Sequence, residues 1–235
     1  MSLDQTVSSL DWTRIANALD EFGVATTGPL LSRVECEALR DLYDGDGHFR
    51  SRIVMQRHGF GSGEYKYFAN PLPEPIARLR ESFYARLAPL ANEWNRRMGV
   101  ERRYPAELDA FLAECHASGQ EKPTPLLLRY RAGDYNCLHQ DVYGANLFPI
   151  QLVILLSQPS VEFEGGELLL TEQRPRMQSR AEVVPLGMGH GALFAVNDRP
   201  KAGTCGDYRV KMRHGVSRIR SGERFTTGVI FHDAT

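Results

Sequence analysis

The chain has 235 residues, with 28 Lys+Arg against 29 Asp+Glu for a formal net charge of −1, and is 42% hydrophobic and 24% charged. These are globular proportions over a length able to bury a core, and they exclude a disordered polymer and a dedicated cationic coat for nucleic acid. The charge is uneven: residues 172–235 carry eleven Lys/Arg and six Asp/Glu, net +5, and the remainder seventeen and twenty-three, net −6. The C-terminal third is therefore the part suited to an anionic partner.

Cys36, Cys115, Cys137 and Cys205 are far apart and form no C-x-x-C, which argues against a disulfide scaffold or a cysteine zinc site. The first residues, MSLDQTVSSLDW, lack a basic region followed by an apolar stretch, so a cytoplasmic protein is expected. The longest nearly apolar run, Phe148 to Leu156, is interrupted by Gln151 and is too short to cross a bilayer, so no membrane partner is expected.

The first half reads as helical. Ser32-Arg33-Val34-Glu35 has the form of a capping box opening a helix to about Tyr43, before the turn Asp44-Gly45-Asp46-Gly47. Residues 49–68, FRSRIVMQRHGFGSGEYKYF, alternate cations (Arg50, Arg52, Arg57, Lys66) with aromatics (Phe49, Phe60, Tyr65, Tyr67, Phe68) around three glycines. That composition suits an extended hairpin packing aromatics on a barrel, and equally a surface for bases and phosphates. Ile76, Leu79, Phe83, Leu87, Leu90, Trp94 and Met98 recur at helical spacing and predict an amphipathic helix over Glu74–Met98. A further helix is expected over Ala106–His116, opened by Pro105.

After Pro125 the texture changes to short apolar runs punctuated by Gly and Pro. Leu126–Tyr130, Cys137–Asp141, Ile150–Ser157, Glu167–Thr171, Glu182–Leu186, Ala192–Val196, Arg209–His214 and Arg224–Phe231 read as eight strands. No linker divides the chain. The expectation is one α+β, mainly β, domain: residues 1–121 a helical support able to act as a substrate lid, and 122–235 a double-stranded β-helix, a form of jelly roll.

The chemistry lies in His139-Gln140-Asp141. Residues i and i+2 of a strand share a face, so this pair can supply two ligands of a 2-His-1-carboxylate triad, the arrangement that leaves open positions on non-haem Fe(II). His214 is a candidate third ligand, and Arg224, ten residues on, shares a strand face with Thr226. A guanidinium beside a hydroxyl suits a buried dicarboxylate tail. His232 is set aside because eight residues of strand separate it from Arg224 by about 26 Å. His190 reads as a turn residue at the surface, and His48, His58 and His116 as ordinary polar residues.

H-x-D followed by a distant H with R ten residues on resembles the 2-oxoglutarate- and Fe(II)-dependent dioxygenases, especially the prolyl-hydroxylase-like branch, over roughly residues 122–233. The resemblance implies that His139, Asp141 and His214 bind Fe(II), and that Arg224 with Thr226 holds the distal carboxylate of 2-oxoglutarate, with dioxygen as cosubstrate. Tyr130, nine residues before His139, is either the tyrosine that bonds the same carboxylate or a core aromatic. The strings PTPLLLRY, NCLHQDVYG, GGELLLTEQRPRMQSR and RHGVSRIRSGER resemble a bacterial oxygenase family linked to oxidative repair of methylated nucleic acid. The Arg-Tyr pair before Leu-His-Gln-Asp is also similar to the AlkB-type demethylases. Two departures separate it from them: Leu128 stands where those enzymes carry Asn, and Ile230 where they carry a second Arg.

Three functions stay open at this point. One is a dioxygenase acting on alkylated nucleic acid, with Arg57, Tyr65, Tyr67 and the basic segment Arg174, Arg176 and Arg180 as candidate substrate contacts. The second is a hydroxylase of a protein, peptide or amino acid. The third is a non-catalytic β-helix binding module.

Overall fold

A computed structural model describes residues 2–142, 144–204 and 206–235, so Cys205 lies outside the described residues. The N-terminal part holds α1 (Leu3–Ser8), α2 (Trp12–Phe22), β1 (Val24–Pro29), α3 (Arg33–Asp41), β2 (Phe49–Val54), β3 (Gly61–Ser62), β4 (Glu64–Phe68), α4 (Glu74–Arg97) and α5 (Leu108–Ala117). There follow β5 (Leu126–Arg131), β6 (Tyr135–His139), β7 (Ile150–Leu155), β8 (Phe163–Gly165), β9 (Leu168–Gln173) and β10 (Arg180–Val184). The chain ends with β11 (His190–Ala195), β12 (Asp198–Gly203), β13 (Gly206–Val216) and β14 (Ile219–Val229).

The strands form two antiparallel sheets, the α+β jelly roll expected from the sequence. The larger runs β1-β11-β7-β14-β5-β4-β2, with β8 also on β14; the smaller runs β10-β9-β13-β6-β3, with β12 also on β13. Residues 1–121 are thus more than a helical support. They contribute β1, β2, β3 and β4, and β4 hydrogen-bonds directly to β5, Tyr65 opposite Leu128 and Tyr67 opposite Leu126. The segment 49–68 is the hairpin alternative, built as sheet rather than as a detached lid.

Local chemistry explains the helices. The Ser32/Glu35 capping box forms as read from the sequence, each side chain serving the other's backbone N–H. In α4 the residues Ile76, Leu79, Phe83, Leu87 and Trp94 are fully buried, while Leu90 and Met98 are partly buried against the same core. The core lies on the outer face of the larger sheet, where Leu127, Leu152, Ile154 and Val229 point away from the barrel interior into the helices. Among the described residues no helix is long and apolar enough to cross a membrane.

One ion pair ties this layer to the end of the barrel. Buried Arg80 of α4 donates through Nε to the Ile230 carbonyl (2.8 Å) and through Nη2 to Asp233 Oδ1 (2.6 Å). The other Asp233 oxygen lies 2.9 Å from His116 Nε2 of α5. With Arg80 and Asp233 only 4% and 2% exposed, removing one partner strands the other charge out of water. Arg80→Met is expected to lower unfolding free energy by about 3 kcal/mol in urea titration; a loss below about 1 kcal/mol would show that His116 alone satisfies Asp233.

Candidate active site

The pairing of β13 with β6 sets His214 directly opposite His139, with a bulge before the next pair, Val216 and Asn136. A side chain on Gly215 would come within 2.7 Å of the Asn136 carbonyl oxygen, so the close approach at this bulge depends on the missing Cβ. The two imidazole rings lie 4.2 Å apart, centre to centre. Strand β6 ends at His139, so Asp141 is not on the strand as the i, i+2 reading had it. It returns to the histidines from the following turn. That turn is pinned by Gln140, whose amide donates to Asn197 Oδ1 (2.7 Å) and to the Met212 carbonyl (2.8 Å).

His139, Asp141 and His214 each offer one donor atom, all within 4.8 Å of one another. Asp141 Oδ1 stands 3.4 Å from His139 Nε2 and Oδ2 3.4 Å from His214 Nε2. Two metal–ligand bonds of about 2.1 Å at right angles put their donor atoms about 3 Å apart, so the set fits one small divalent cation with little adjustment. His139 Nδ1 lies 2.8 Å from the Cys137 carbonyl, which can only accept, so Nδ1 carries the proton and Nε2 presents its lone pair. Burial opposes charge on Asp141, but the two imidazoles outweigh it and hold the carboxyl well below its usual range. Burial lowers His214 and favours its neutral, metal-ready form, while for His139 the Asp141 carboxylate outweighs burial and raises it.

These residues open into a cavity of about 240 Å³ inside the barrel. One end carries Arg224, Thr226 and Tyr130, all on the cavity face: Arg224 pairs with Tyr130 across β14 and β5. Arg224 is 3% exposed and Tyr130 0%. Among the described residues neither Arg224 Nε and Nη1 nor the Tyr130 hydroxyl has a hydrogen-bond partner. Burial draws Arg224 down to about 10, with Tyr130 and Glu167 opposing, so it stays charged at neutral pH. A buried, unpaired, charged fork is costly unless an anion meets it. Gly166 makes room for it, since a Cβ there would lie 2.8 Å from Arg224 Cδ and 2.2 Å from Ile219 Cδ1.

The other sequence-derived candidates divide. Tyr65 and Tyr67 face the cavity from β4, the Tyr67 ring meeting Tyr65 edge-on at 5.3 Å and lying 4.4 Å beneath the Arg50 guanidinium. Arg57 sits exposed on the short helical turn Met55–His58, which directly follows β2, outside the cavity lining. Arg174, Arg176 and Arg180 lie at the β9–β10 turn, also outside the lining. Arg174 is engaged by Glu172 (2.8 Å), and Arg180 stands 3.7 Å from the same carboxylate. His232 is buried with Nδ1 accepting from the Phe148 N–H, apart from the triad, and His190 begins β11 rather than standing in a surface turn. Sequence reading missed Phe194, whose ring lies 4.6 Å from that of His214, and Gln151, directly opposite Phe194 on β7.

Comparison with known proteins agrees with this geometry. Residues 63–234 match the family model Oxygenase-NA, described as an oxygenase catalysing oxidative methylation of damaged DNA. Two Mycobacterium tuberculosis proteins, from strains CDC 1551 / Oshkosh and ATCC 25618 / H37Rv and each described as uncharacterised, are 48% identical over 189 residues, covering 80% of this chain and 78% of theirs. In fold the chain is similar to a Pseudomonas putida prolyl-4-hydroxylase (TM-score 0.53, 14% identity, 95% of this chain and 99% of that one). It is also similar to an oxidoreductase of the 2OG-Fe(II) oxygenase family from Burkholderia pseudomallei (TM-score 0.55, 15% identity, 97% and 94%). With the matched region spanning the histidines, the aspartate and Arg224, the chain belongs to the Oxygenase-NA family of oxygenases.

Proposed function

We propose that the protein is an Fe(II)- and 2-oxoglutarate-dependent dioxygenase that hydroxylates a C–H bond on alkylated nucleic acid. The observation that carries the cofactor assignment is the buried, unpaired Arg224 fork at the end of the cavity that also holds His139, Asp141 and His214. The three ligands would hold Fe(II). Arg224 binds the distal carboxylate of 2-oxoglutarate, with the Thr226 and Tyr130 hydroxyls supplying further hydrogen bonds. Bound Fe(II) supplies the redox chemistry that couples oxidative decarboxylation of 2-oxoglutarate by dioxygen to insertion of one oxygen atom into a substrate C–H bond.

The protein's own contribution is positional. Leu128, Leu168 and Val216 wall the cavity and exclude water around the carboxylate. Cys137 fixes the His139 tautomer and Gln140 fixes the turn carrying Asp141. On an N-methyl group the hydroxylated product would release formaldehyde; on a ring or chain carbon the hydroxyl would persist.

The nucleic-acid assignment rests on the family description and on Tyr65 and Tyr67, which face the cavity with Arg50 over Tyr67; Arg57, exposed on the Met55–His58 turn outside the lining, would be a further cation for a longer strand. Arg174, Arg176 and Arg180 would serve only a strand long enough to reach beyond the mouth. A protein or peptide hydroxylase is the second reading, favoured by the ten-residue His214-to-Arg224 spacing and the likeness to a prolyl-4-hydroxylase fold. Membership of an oxygenase family leaves the non-catalytic module without support.

Anaerobic addition of Fe(II) and 2-oxoglutarate should produce a weak visible absorption band that Asp141→Ala abolishes; an undiminished band in that variant would remove Asp141 from the ligand set. Arg224→Ala should raise the 2-oxoglutarate requirement at least tenfold, because losing a charge-assisted pair costs about 1.5–3 kcal/mol, and Arg224→Lys should recover only part of it. Arg224→Met, which removes an uncompensated buried charge, should melt above the parent without cosubstrate yet gain nothing from 2-oxoglutarate. Succinate release under oxygen from methylated single-stranded oligonucleotides, against prolyl peptides, separates the two substrates. Oligonucleotide binding should weaken with salt at a log–log slope of about −0.7 per phosphate contact, and Arg50→Ala or Arg57→Ala should each flatten it by about that amount. Turnover of prolyl peptides with negligible, salt-insensitive oligonucleotide binding would overturn the nucleic-acid reading.

A further inference from the structure

Among the described residues eight buried side-chain polar atoms have no hydrogen-bond partner, and five of them line this one cavity: Tyr130 Oη, Gln151 Nε2, His214 Nδ1, and Arg224 Nε and Nη1. A dicarboxylate accounts for the arginine and tyrosine atoms, and His214 Nδ1 is the far nitrogen of a ring whose Nε2 faces Asp141. Gln151 is left over. It is 5% exposed, and its unpartnered N–H end must meet something there, since a buried amide donor left unmade is costly.

Register fixes where that amide points. Thr226 and Gly228 pair with Leu155 and Val153, so the cavity face of β7 is 155, 153, 151, and Gln151 stands beside Ile230, the last cavity residue contributed by the β14 side. From Arg224 to position 230 is six residues, about 20 Å along a strand. A five-carbon dicarboxylate spans about 6 Å at about 1.5 Å per bond, so its carbon chain covers under a third of that separation, starting from the Arg224 end. Gln151 is nevertheless close to the ligands: its cross-strand partner is Phe194, whose ring is 4.6 Å from that of His214. The amide therefore flanks the triad on the side away from the cosubstrate anchor. There the remaining lining is aromatic and apolar: Tyr67 and Leu126, level with Gly228, and Ile230.

We propose that Gln151 is the substrate-reading residue of this site, donating from its side-chain amide to a ring nitrogen or carbonyl oxygen on the edge of a nucleobase whose face lies against Tyr67. This rests on the nucleic-acid reading above and deepens it. A planar amide matches the edge of a base in both geometry and polarity, and an aromatic ring matches its face, the two contacts by which an unstacked base is recognised. The Arg50 guanidinium above Tyr67 stands where the backbone phosphate of such a nucleotide would leave the cavity.

The test compares the parent with Gln151→Met, of the same length without a donor, and Gln151→Asn, which keeps the amide one methylene shorter. Probes are single-stranded DNA oligonucleotides carrying one 1-methyladenine or one 3-methylcytosine. In Gln151→Met, kcat/KM on the preferred oligonucleotide should fall at least tenfold and the preference between the two bases should shrink. The 2-oxoglutarate concentration giving half the anaerobic absorption band should stay within twofold, and the melting temperature should not drop. Gln151→Asn should recover part of the selectivity. Unchanged kcat/KM and selectivity in Gln151→Met would overturn the proposal while leaving the nucleic-acid reading intact. A weakened 2-oxoglutarate titration or a lower melting temperature would overturn it as well, by giving the amide a cosubstrate or structural role. A parent enzyme that ignores both oligonucleotides and turns over a prolyl peptide would overturn both readings.

Discussion

A buried guanidinium with two nitrogens unpaired among the described residues is the constraint around which the barrel is arranged. Arg224 is 3% exposed with two nitrogens unpaired, a state that destabilises the ligand-free fold. The fold tolerates it because β14 is central to the larger sheet, held by β5 on one side and β7 on the other, with the opposite face covered by the helical layer. Rigidity also comes from small residues: Gly166 clears the space for the Arg224 stem, and Gly63, at φ 123°, stands so close to the Tyr130 ring that a Cβ would lie 2.9 Å from it. Stability lost at the site is thus supplied by packing elsewhere, the usual relation between a binding centre and its scaffold.

The His139, Asp141 and His214 cluster depends on register in the smaller sheet. His214 meets His139 only in the observed pairing, and a slip of one residue would turn either imidazole to the outer face. The bulge between His214 and Val216 ends the regular pairing just past this point, and the chain beyond His139 leaves the strand to bring Asp141 back. Gln140 stabilises that excursion by tying it to the backbone of Met212, two residues before His214. The residue between His139 and Asp141 therefore has a positioning role of its own.

Much of this was legible in the sequence because the chemistry-bearing residues are rare types at fixed spacing: His139, Asp141, His214 and Arg224 stand out whatever the surrounding propensities. The long α4 stripe and the Ser32/Glu35 cap were legible for similar reasons of periodicity and local hydrogen bonding. Strands β1, β2 and β4 are harder to read as sheet, since their alternation is masked. In β4 the buried residue between Tyr65 and Tyr67 is Lys66, whose ammonium is satisfied by the Tyr43 carbonyl (2.8 Å) and Asp46 (2.9 Å), a tertiary pairing that no local pattern announces. Gln151 was visible as the one interruption of the apolar run Phe148–Leu156. A polar residue in a strand otherwise buried on both faces is itself a signal, because such a group needs a partner.

The basic C-terminal third shows why net charge is a poor guide to where a polyanion would bind. Arg199, fully buried, pairs with Glu172 and donates to the carbonyls of Asp20 and Glu21 at the end of α2, and Lys201 bonds the same Glu21 carbonyl. Arg209 reaches the Met98 carbonyl at the end of α4, and Arg174 and Arg180 lie against Glu172. These cations complement helix C-termini and a buried carboxylate, so their charge is largely used inside the fold. Arg224 is enclosed in the barrel. A substrate carrying phosphates would then find few cations near the cavity, chiefly Arg50 over Tyr67, whose Nε already donates to the Pro123 carbonyl (2.8 Å), and electrostatics would position it without choosing it. Discrimination has to be made where the chain keeps polar atoms unpaired at the end of an otherwise apolar cavity, and on the substrate side of the triad that atom is the Gln151 amide nitrogen.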